Sequence, residues 1–288
     1  MLCSRACALS FSFAGTWDDY NSQIRLVKYY DFAFAESAAS GAPRIAASGH
    51  LFSSYPGVLI SGDDFWVTSQ GLVLISSEIG PCPDASLYTG IVPNGTRWEF
   101  MRQTIAARLS RSTVEYASHY TVANSGTFNS EWIVTDFKRF TPGQGLAAEA
   151  VWYIAQVPSH FASYDLTPLV QLQGFTATFN IPQDSGIYNV SGWPAMVAEK
   201  KKSSYGQAYA DLFTYNLNPR FRIASRDHSK IKTVEEMKKF IRYNDYKHDP
   251  LSQGPGTPPS SPWNAISARA DLVDDNGDYP DELQSDCL

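Results

Sequence analysis

Cysteine is scarce in this chain of 288 residues, and long apolar runs are missing from it. The four cysteines, Cys3, Cys7, Cys82 and Cys287, are too few and too irregularly spaced for a disulfide framework. No two of them form a C-x-x-C pair, which argues against a zinc or dithiol redox motif. No apolar stretch reaches the length of a membrane-spanning helix. The sequence therefore predicts no metal site and no integral membrane association.

Several motifs of hydrolases and nucleotide-binding proteins are missing as well. There is no G-x-S-x-G elbow, no G-x-x-x-x-G-K-[ST] loop, no G-x-G-x-x-G and no H-E-x-x-H. The five histidines are scattered, so we interpret each as a surface or core residue and not as a metal ligand. These absences argue against the common serine-hydrolase, P-loop, dinucleotide-binding and zinc-protease classes, and no cofactor is implied.

Aromatic residues are plentiful, with sixteen Tyr, sixteen Phe and seven Trp making up 14% of the chain. That content is enough for a large core or for an apolar substrate channel. The formal net charge of −6 argues against a nucleic-acid partner, because phosphate binding needs a basic face. It also argues against strong electrostatic attachment to anionic membranes. The composition favours a globular protein with a small or apolar partner.

The segment Thr121–Phe140 combines a turn-prone stretch with a strand-like stretch. Asn124, Ser125 and Gly126 tolerate tight-turn conformations, and the β-branched and aromatic residues that follow predict a strand. Two interpretations of Asn124 stay open on these residues alone. It is either part of an ordinary hairpin turn, or its amide N–H₂ is held so that it stabilises an oxyanion.

Elsewhere the periodicity predicts mixed strands and helices. A first helix is predicted up to residue 32, with Asp18 or Asn21 as its N-cap and Ile24, Val27 and Tyr30 at helical spacing. Further helices are predicted over 97–118, with Phe100, Ile105, Ala106 and Leu109 facing the core, and over 232–243. Strands are predicted at 58–60, 65–67, 72–75 and 147–157, with strand-like sequence over 165–181. Since strands and helices do not alternate strictly, the pattern predicts an α+β fold and not a doubly wound sheet.

Four blocks of sequence resemble the phospholipase B-like family of the N-terminal nucleophile hydrolases. They occur in the family's order and cover about residues 9 to 272. In chain order the blocks are T-W-D-D-Y with K-Y-Y-D-F, F-S-S-Y-P-G with D-D-F, the central N-S-G-T-F-N with W-I-V and D-F-K, and the segment Met237–Pro250, which contains R-Y-N-D-Y-K. The resemblance implies a four-layer αββα sandwich, here incomplete, with the hydrolase domain at 1–272 and a poorly ordered acidic tail at 273–288. It also implies a lipid substrate.

The resemblance also implies a mechanism in which a cysteine becomes the first residue after self-cleavage. Its thiolate attacks an acyl carbonyl, its own α-amine acts as base, and an Asn side chain stabilises the oxyanion. By this resemblance Cys3 is the catalytic thiol (Cys7 lies nearer to the motif), Asn124 is the oxyanion donor, and Trp17 lines the site. The family carries a His three residues before that Trp, where this chain has Ala14.

The resulting hypothesis is a lipid acyl hydrolase that releases fatty acids from glycerophospholipids or related acyl esters or amides. The alternative is a catalytically inactive, lipid-associated member of the family or a non-functional fragment, because the sequence resembles the central part of a longer protein. Two N-glycosylation sequons begin at Asn94 and Asn189. With the resemblance they predict a lysosomal or secreted glycoprotein, although residues 1–13 are a poor signal peptide. The oligomeric state is not predicted.

Overall fold

The computed structural model describes residues 2–3, 10–12, 26–61, 64–80 and 84–280. These residues divide into two compact units. The first unit holds the described residues up to 191, and the second holds residues 192–280. Cys7, Trp17 and residues 281–288 of the predicted tail lie outside the described residues, as do Asp18, Asn21 and Ile24 of the first predicted helix.

The first unit is built on a seven-stranded antiparallel sheet. Its spatial order is β11-β10-β7-β6-β5-β4-β3, so most neighbours in sequence are also neighbours in the sheet. The strands of the unit are β1 (Leu2–Cys3), β2 (Ser10–Phe11), β3 (Leu26–Asp31), β4 (Gly49–Ser54), β5 (Phe65–Thr68), β6 (Leu72–Glu78), β7 (Ser130–Asp136), β8 (Phe140–Thr141), β9 (Gly145–Leu146), β10 (Val151–Val157) and β11 (His160–Asp165). Two further pairs, β1 with β2 and β8 with β9, are separate two-stranded ribbons.

Helices accompany the sheet in the first unit and dominate the described part of the second. The first unit contains α1 (Glu99–Leu109), α2 (Thr113–Tyr120), α3 (Thr167–Gln173) and α4 (Ser185–Val190). The second contains α5 (Trp193–Lys202), α6 (Gly206–Asp211), α7 (Pro219–Asp227) and α8 (Val234–Ile241). Short 3-10 helices span Ala85–Gly90, Phe137–Arg139, His228–Lys230, Pro250–Ser252 and Ala270–Leu272. The structure confirms a mixed α and β fold with an antiparallel sheet.

The predicted central strand is β7, and all seven of its residues are buried. It lies between β6 and β10, which satisfy its backbone on both sides. Trp132 and Val134 face α1 and α2 and join the core between sheet and helices. Since side chains alternate along a strand, Glu131 and Ile133 face the other side of the sheet. This strand therefore positions residues on both faces.

The face of the sheet opposite α1 and α2 is apolar and exposed at strands β3 to β5. Tyr29 is opposite Leu51, and Leu51 is opposite Val67, so the three side chains form a row across the strands. With Val27 they are 37–65% exposed. A contiguous apolar sheet face is typical of a surface that another layer covers.

Three of the predicted elements are wrong. Residues 26–31 form strand β3 and not a helix, and their alternating half-buried and exposed side chains show a period of two. Residues 167–173 form helix α3 within the predicted strand-like stretch. Pro168 lies in the first turn of this helix, and Gly174 ends it with φ 85° in the left-handed region. The predicted strand at 58–60 is also absent from the described residues there.

The predicted helix at 97–118 exists, but as α1 and α2 separated by Ser110, Arg111 and Ser112. Its predicted core stripe is partly wrong. Ala106 is fully buried, whereas Ile105 is 45% exposed. The buried face of α1 is mainly polar and includes Glu99, Arg102 and Gln103.

The second unit has an aromatic core that includes part of the predicted acidic tail. Tyr209, Trp263 and Tyr279 pack in one buried cluster with Leu212 and Ala268. The tail residue Asp278 pairs with Thr257 through reciprocal backbone hydrogen bonds. Residues 273–280 are thus tied to the unit, and the remaining tail residues lie outside the described part.

Candidate functional site

The turn before β7 holds Asn124 in a fixed orientation. The Asn124 Oδ1 accepts a hydrogen bond from the Gly126 backbone N–H at 2.9 Å, and the Nδ2 donates to the Val157 carbonyl at 2.9 Å. Ala123 and Gly126 adopt φ of 60° and 67°. A Cβ on Gly126 would also press on the Pro158 ring at 3.1 Å, so both the left-handed φ and the close approach favour glycine there. The second N–H of the Asn124 amide has no acceptor among the described residues, so it can donate to a ligand.

Arg102 reaches the same amide from helix α1. This arginine is only 3% exposed, and it donates to the Asn124 Oδ1 at 3.4 Å, to the Gln156 Oε1 at 2.9 Å and to the Tyr120 carbonyl at 2.6 Å. Gln156 in turn donates to the Phe128 carbonyl at 2.8 Å. A cation on the amide oxygen draws electron density from the nitrogen, so the remaining N–H becomes a better donor.

A buried polar chain continues from Arg102 into the core. The Tyr120 hydroxyl donates to Glu99 Oε1 at 3.0 Å, and the Trp132 indole N–H donates to that hydroxyl at 2.7 Å. Burial raises the pKa of Glu99 to about 7, against the opposing effects of the Tyr120 hydroxyl and the Arg102 guanidinium. Glu99 can therefore exchange a proton near neutral pH, although it lies inside the core at 3% exposure.

Glu131 forms a second buried site on the opposite face of β7. One carboxyl oxygen accepts from the Tyr153 hydroxyl and from the Gln183 backbone N–H at 2.7 Å. The other oxygen has no hydrogen-bond partner among the described residues. Burial raises the pKa of Glu131 to about 8, so the folded protein holds this carboxyl protonated at neutral pH.

The described structure does not bring Cys3 next to Asn124. The backbone of β1, which contains Cys3, lies beside α3. Helix α3 is anchored through Thr167 to the start of β10 at Val151, and through Gln171 to Leu146. Asn124 is bonded to Val157 at the other end of β10, about 20 Å away along the strand at roughly 3.3 Å per residue. Cys3 as the nucleophile stays a prediction, as does Trp17.

A serine–histidine pair in the first unit is a rival for the chemistry. The Ser110 Oγ lies 3.0 Å from His119 Nδ1. The Ser110 hydroxyl already donates to the Ala106 carbonyl at 2.6 Å, and the residue is fully buried. A nucleophile needs a free, accessible oxygen, so this pair acts as a helix-end brace between α1 and α2.

No metal centre and no membrane-spanning helix is found in the described ranges. Among those residues, no group of three His, Cys, Asp or Glu side chains is placed to hold a metal ion. Within the same ranges, no helix is long and apolar enough to cross a bilayer.

The two sequons differ in their setting. Asn94 lies in an exposed turn before Gly95. Asn189 is exposed on α4, but the Ser191 of its sequon is fully buried and its hydroxyl donates to the Ile187 carbonyl at 2.6 Å. The geometry therefore suits glycosylation better at Asn94 than at Asn189.

We predict that Arg102→Met destabilises the first unit by about 3 kcal/mol or more, because several buried acceptors lose their donor at once. Arg102→Lys should recover only part of this loss, since an ammonium cannot reproduce the guanidinium fork. Urea unfolding measures both variants. Arg97→Met, at an exposed neighbouring position, is the control; a similar midpoint for Arg97→Met and Arg102→Met would contradict the role of the buried network.

Comparison with known proteins gives the class of this chain. The model of the Phospholipase B family matches residues 8–287. The chain is 36% identical over 267 residues to "Putative phospholipase B-like 2" of Rattus norvegicus, covering 92% of this chain and 44% of that protein. It is 34% identical to the Homo sapiens protein of the same name, again over 92% of this chain and 44% of that protein.

A more distant relative is "Phospholipase B-like protein E" of Dictyostelium discoideum, 32% identical over 258 residues, with 89% of this chain and 42% of that protein covered. The chain therefore belongs to the phospholipase B family, as the sequence blocks predicted. It spans less than half the length of these relatives.

Proposed function

We propose that the chain forms the acyl-hydrolase site of a phospholipase B-like enzyme, acting on fatty acyl esters or amides of lipids. The observation that supports this best is the fixed amide of Asn124, with a buried guanidinium on its oxygen and one N–H left for a ligand. Membership of the phospholipase B family supports the lipid as the substrate class.

In this proposal a cysteine thiolate attacks the acyl carbonyl carbon, and the carbonyl electron pair moves onto oxygen. The Asn124 amide donates its remaining N–H to that oxyanion. Collapse of the tetrahedral species breaks the bond to the leaving group, which takes a proton and departs. Water then attacks the thioester, releases the fatty acid and restores the thiol. Cys3 is the proposed nucleophile, with Cys7 as the second candidate and Trp17 as a lining residue. Because an oxyanion donor works only within hydrogen-bond distance of the attacked carbonyl, the proposal requires the N-terminal segment to reach the Asn124 turn in the mature chain.

The test is fatty-acid release from phosphatidylcholine by the chain expressed through a secretory pathway, with its mature N-terminus sequenced. We expect release to need a thiol, and to be lost in Cys3→Ala or Cys7→Ala. Release that survives both substitutions would overturn the thiol mechanism. Binding of lipid with no release at any pH would instead identify an inactive member of the family.

We also propose that the sheet belongs to a four-layer αββα arrangement and that the protein works in the lysosome or outside the cell. The exposed apolar row of Tyr29, Leu51 and Val67 supports a second sheet packed on that face. Exposed Asn94 supports glycosylation, which the mass of the secreted protein before and after glycosidase treatment tests.

We expect Val67→Asp to lower the thermal midpoint clearly if a second sheet covers the row, because the carboxylate would be desolvated. In the chain as it stands, where Val67 is 37% exposed, the loss should be small. A loss that is equally small in a chain that also carries the segments present in the longer relatives would contradict the four-layer arrangement.

A further inference from the structure

On helix α1 apolar side chains are exposed and charged side chains are buried. Its exposed residues, Met101 and Ile105, are apolar and 40% and 45% exposed, and Trp98 just before the helix is 59% exposed. Its charged Glu99 and Arg102 are instead buried at 3%. The three exposed side chains recur at spacings of three and four residues, so they share one face of the helix. We call Trp98, Met101 and Ile105 the α1 stripe.

The apolar surface continues beyond the end of the helix. The Arg108 guanidinium carbon lies 5.7 Å from the centre of the Phe32 ring and 5.4 Å from that of Phe34. Phe32 and Phe34 stack on each other at 5.2 Å and are 41% and 53% exposed. Arg108, one turn after Ile105, thus links the end of α1 to two more exposed apolar side chains, which extend the apolar surface beyond the α1 stripe.

This surface begins next to the candidate site. Arg97, the residue before Trp98, pairs with the turn through a backbone N–H bond to the Ala123 carbonyl at 2.9 Å and a β-bridge to Asn124. Val122, in the same turn, is 59% exposed. A ligand bound at the Trp98 end of the α1 stripe therefore lies near the Asn124 turn.

Arginines stand at both ends of the stripe. Arg97 precedes it at an exposed position, whereas Arg108, one turn after Ile105, is only partly exposed and lies against the Phe32 and Phe34 rings. The one acidic residue of α1, Glu99, points into the core. An apolar face carrying a Trp and flanked by cations is typical of helices that lie in the plane of a membrane interface.

We propose that the α1 stripe, with Phe32 and Phe34, binds the surface of a lipid bilayer and presents lipids to the Asn124 turn. The aromatic and aliphatic side chains would enter the headgroup region, while the exposed Arg97 contacts a lipid phosphate. The net charge of −6 opposes long-range attraction to anionic membranes. Binding is therefore carried by apolar contact, with a local electrostatic contribution from Arg97.

The test is co-sedimentation of the chain with vesicles of phosphatidylcholine alone and of equal parts phosphatidylcholine and phosphatidylglycerol. We expect binding to both, and tighter binding to the mixed vesicles at low salt. The double variant Trp98→Ser/Ile105→Ser should weaken binding by roughly tenfold or more for each side chain removed from the interface. Leu172→Ser/Val234→Ser is the matched control, since Leu172 and Val234 are 65% and 57% exposed on other helices.

Two charge-reversal variants separate the electrostatic contribution of Arg97 from the apolar contribution to vesicle binding. Arg97→Glu should abolish the preference for the mixed vesicles, whereas Lys201→Glu, at an exposed position of α5, should leave it unchanged. Equal weakening by the two double variants, or no sedimentation of the unaltered chain with either vesicle, would overturn the proposal.

Sedimentation velocity tests whether a second copy of the chain, and not a bilayer, occupies this surface. Self-association that is lost in Trp98→Ser/Ile105→Ser, without vesicle binding, would assign the surface to a protein interface and also overturn the proposal. All these measurements read binding and not turnover, so their outcome is independent of the acyl-hydrolase proposal.

Discussion

Asn124→Asp is expected to lower fatty-acid release by about 100-fold to 1,000-fold, the usual cost of removing one oxyanion donor. The substitution keeps an Oδ1 for the Gly126 N–H and for Arg102. It removes both amide N–H groups and places a negative charge where the oxyanion would form. Steady-state kinetics on a soluble short-chain ester measure the effect, which should appear in kcat and not in KM.

Asn124→Ala is the less informative variant, because it also removes the acceptor that fixes the turn. We expect it to lose the activity and about 1–3 kcal/mol of stability together. Ser125→Ala, one residue along, is the control, since its hydroxyl contacts only Thr127 Oγ1 in the turn. If Asn124→Asp kept the kcat of the unaltered chain while remaining folded, Asn124 would not be the oxyanion donor.

The second large effect is a fall in folding stability as the pH rises from about 4.5 to about 8. Burial raises the pKa of Glu131 from 4.5 to about 8 and that of Glu99 from 4.5 to about 7. Each group binds its proton more tightly in the folded state, so its contribution is complete below pH 4.5. It is lost as the pH rises toward the folded-state value, at about 1.4 kcal/mol per pH unit.

His50 opposes this trend over part of the range. Burial lowers the pKa of His50 from 6.5 to about 4, so its contribution is complete above pH 6.5 and is lost as the pH falls toward 4. Between pH 4.5 and 6.5 two glutamates act against one histidine, leaving a net loss of about 1.4 kcal/mol per unit of rising pH. Above pH 6.5 the glutamates act alone. The chain should therefore be most stable in mildly acidic solution.

Urea unfolding at pH 5 and pH 8 tests this dependence. Glu131→Gln should flatten it most above pH 7, where Glu131 is the last of the three groups still titrating. Glu235→Gln, at an exposed position on α8, should leave it unchanged. A free energy of unfolding that rises from pH 5 to pH 8 would contradict the protonated state of Glu131.

Local sequence signals predicted much of the sheet. Strands β7 and β10 follow from β-branched and aromatic runs bounded by Gly and Pro, and α8 follows from the helical spacing of Val234, Met237, Phe240 and Ile241. Residues 26–31 were misassigned because Val27 and Tyr30 fit a helical spacing as well as an alternating one. The segment adopts the strand conformation because β4 supplies its backbone hydrogen-bond partners. The presence of such a partner strand cannot be inferred from the residues of the segment alone.

The candidate site was only half predictable. Asn124 is marked by its turn chemistry, which is local. Arg102 was missed because its acceptors on Asn124 and Gln156 are 22 and 54 residues away in sequence. One signal could have found it: Glu99, Arg102 and Gln103 fall on one face of a predicted helix whose opposite face carries Met101 and Ile105. Such a pattern indicates a buried polar network when the rest of the fold provides its partners.

The measurement that tests the account most directly is trapping of the acyl-enzyme. The chain is mixed with phosphatidylcholine, quenched in acid within a single turnover, and digested for peptide mass spectrometry. We predict a fatty acyl thioester on Cys3 or Cys7, with the adduct strongly reduced in Asn124→Asp. Fatty-acid release with no adduct on either cysteine, or with the acyl group on a hydroxyl, would contradict the proposed thiol hydrolase.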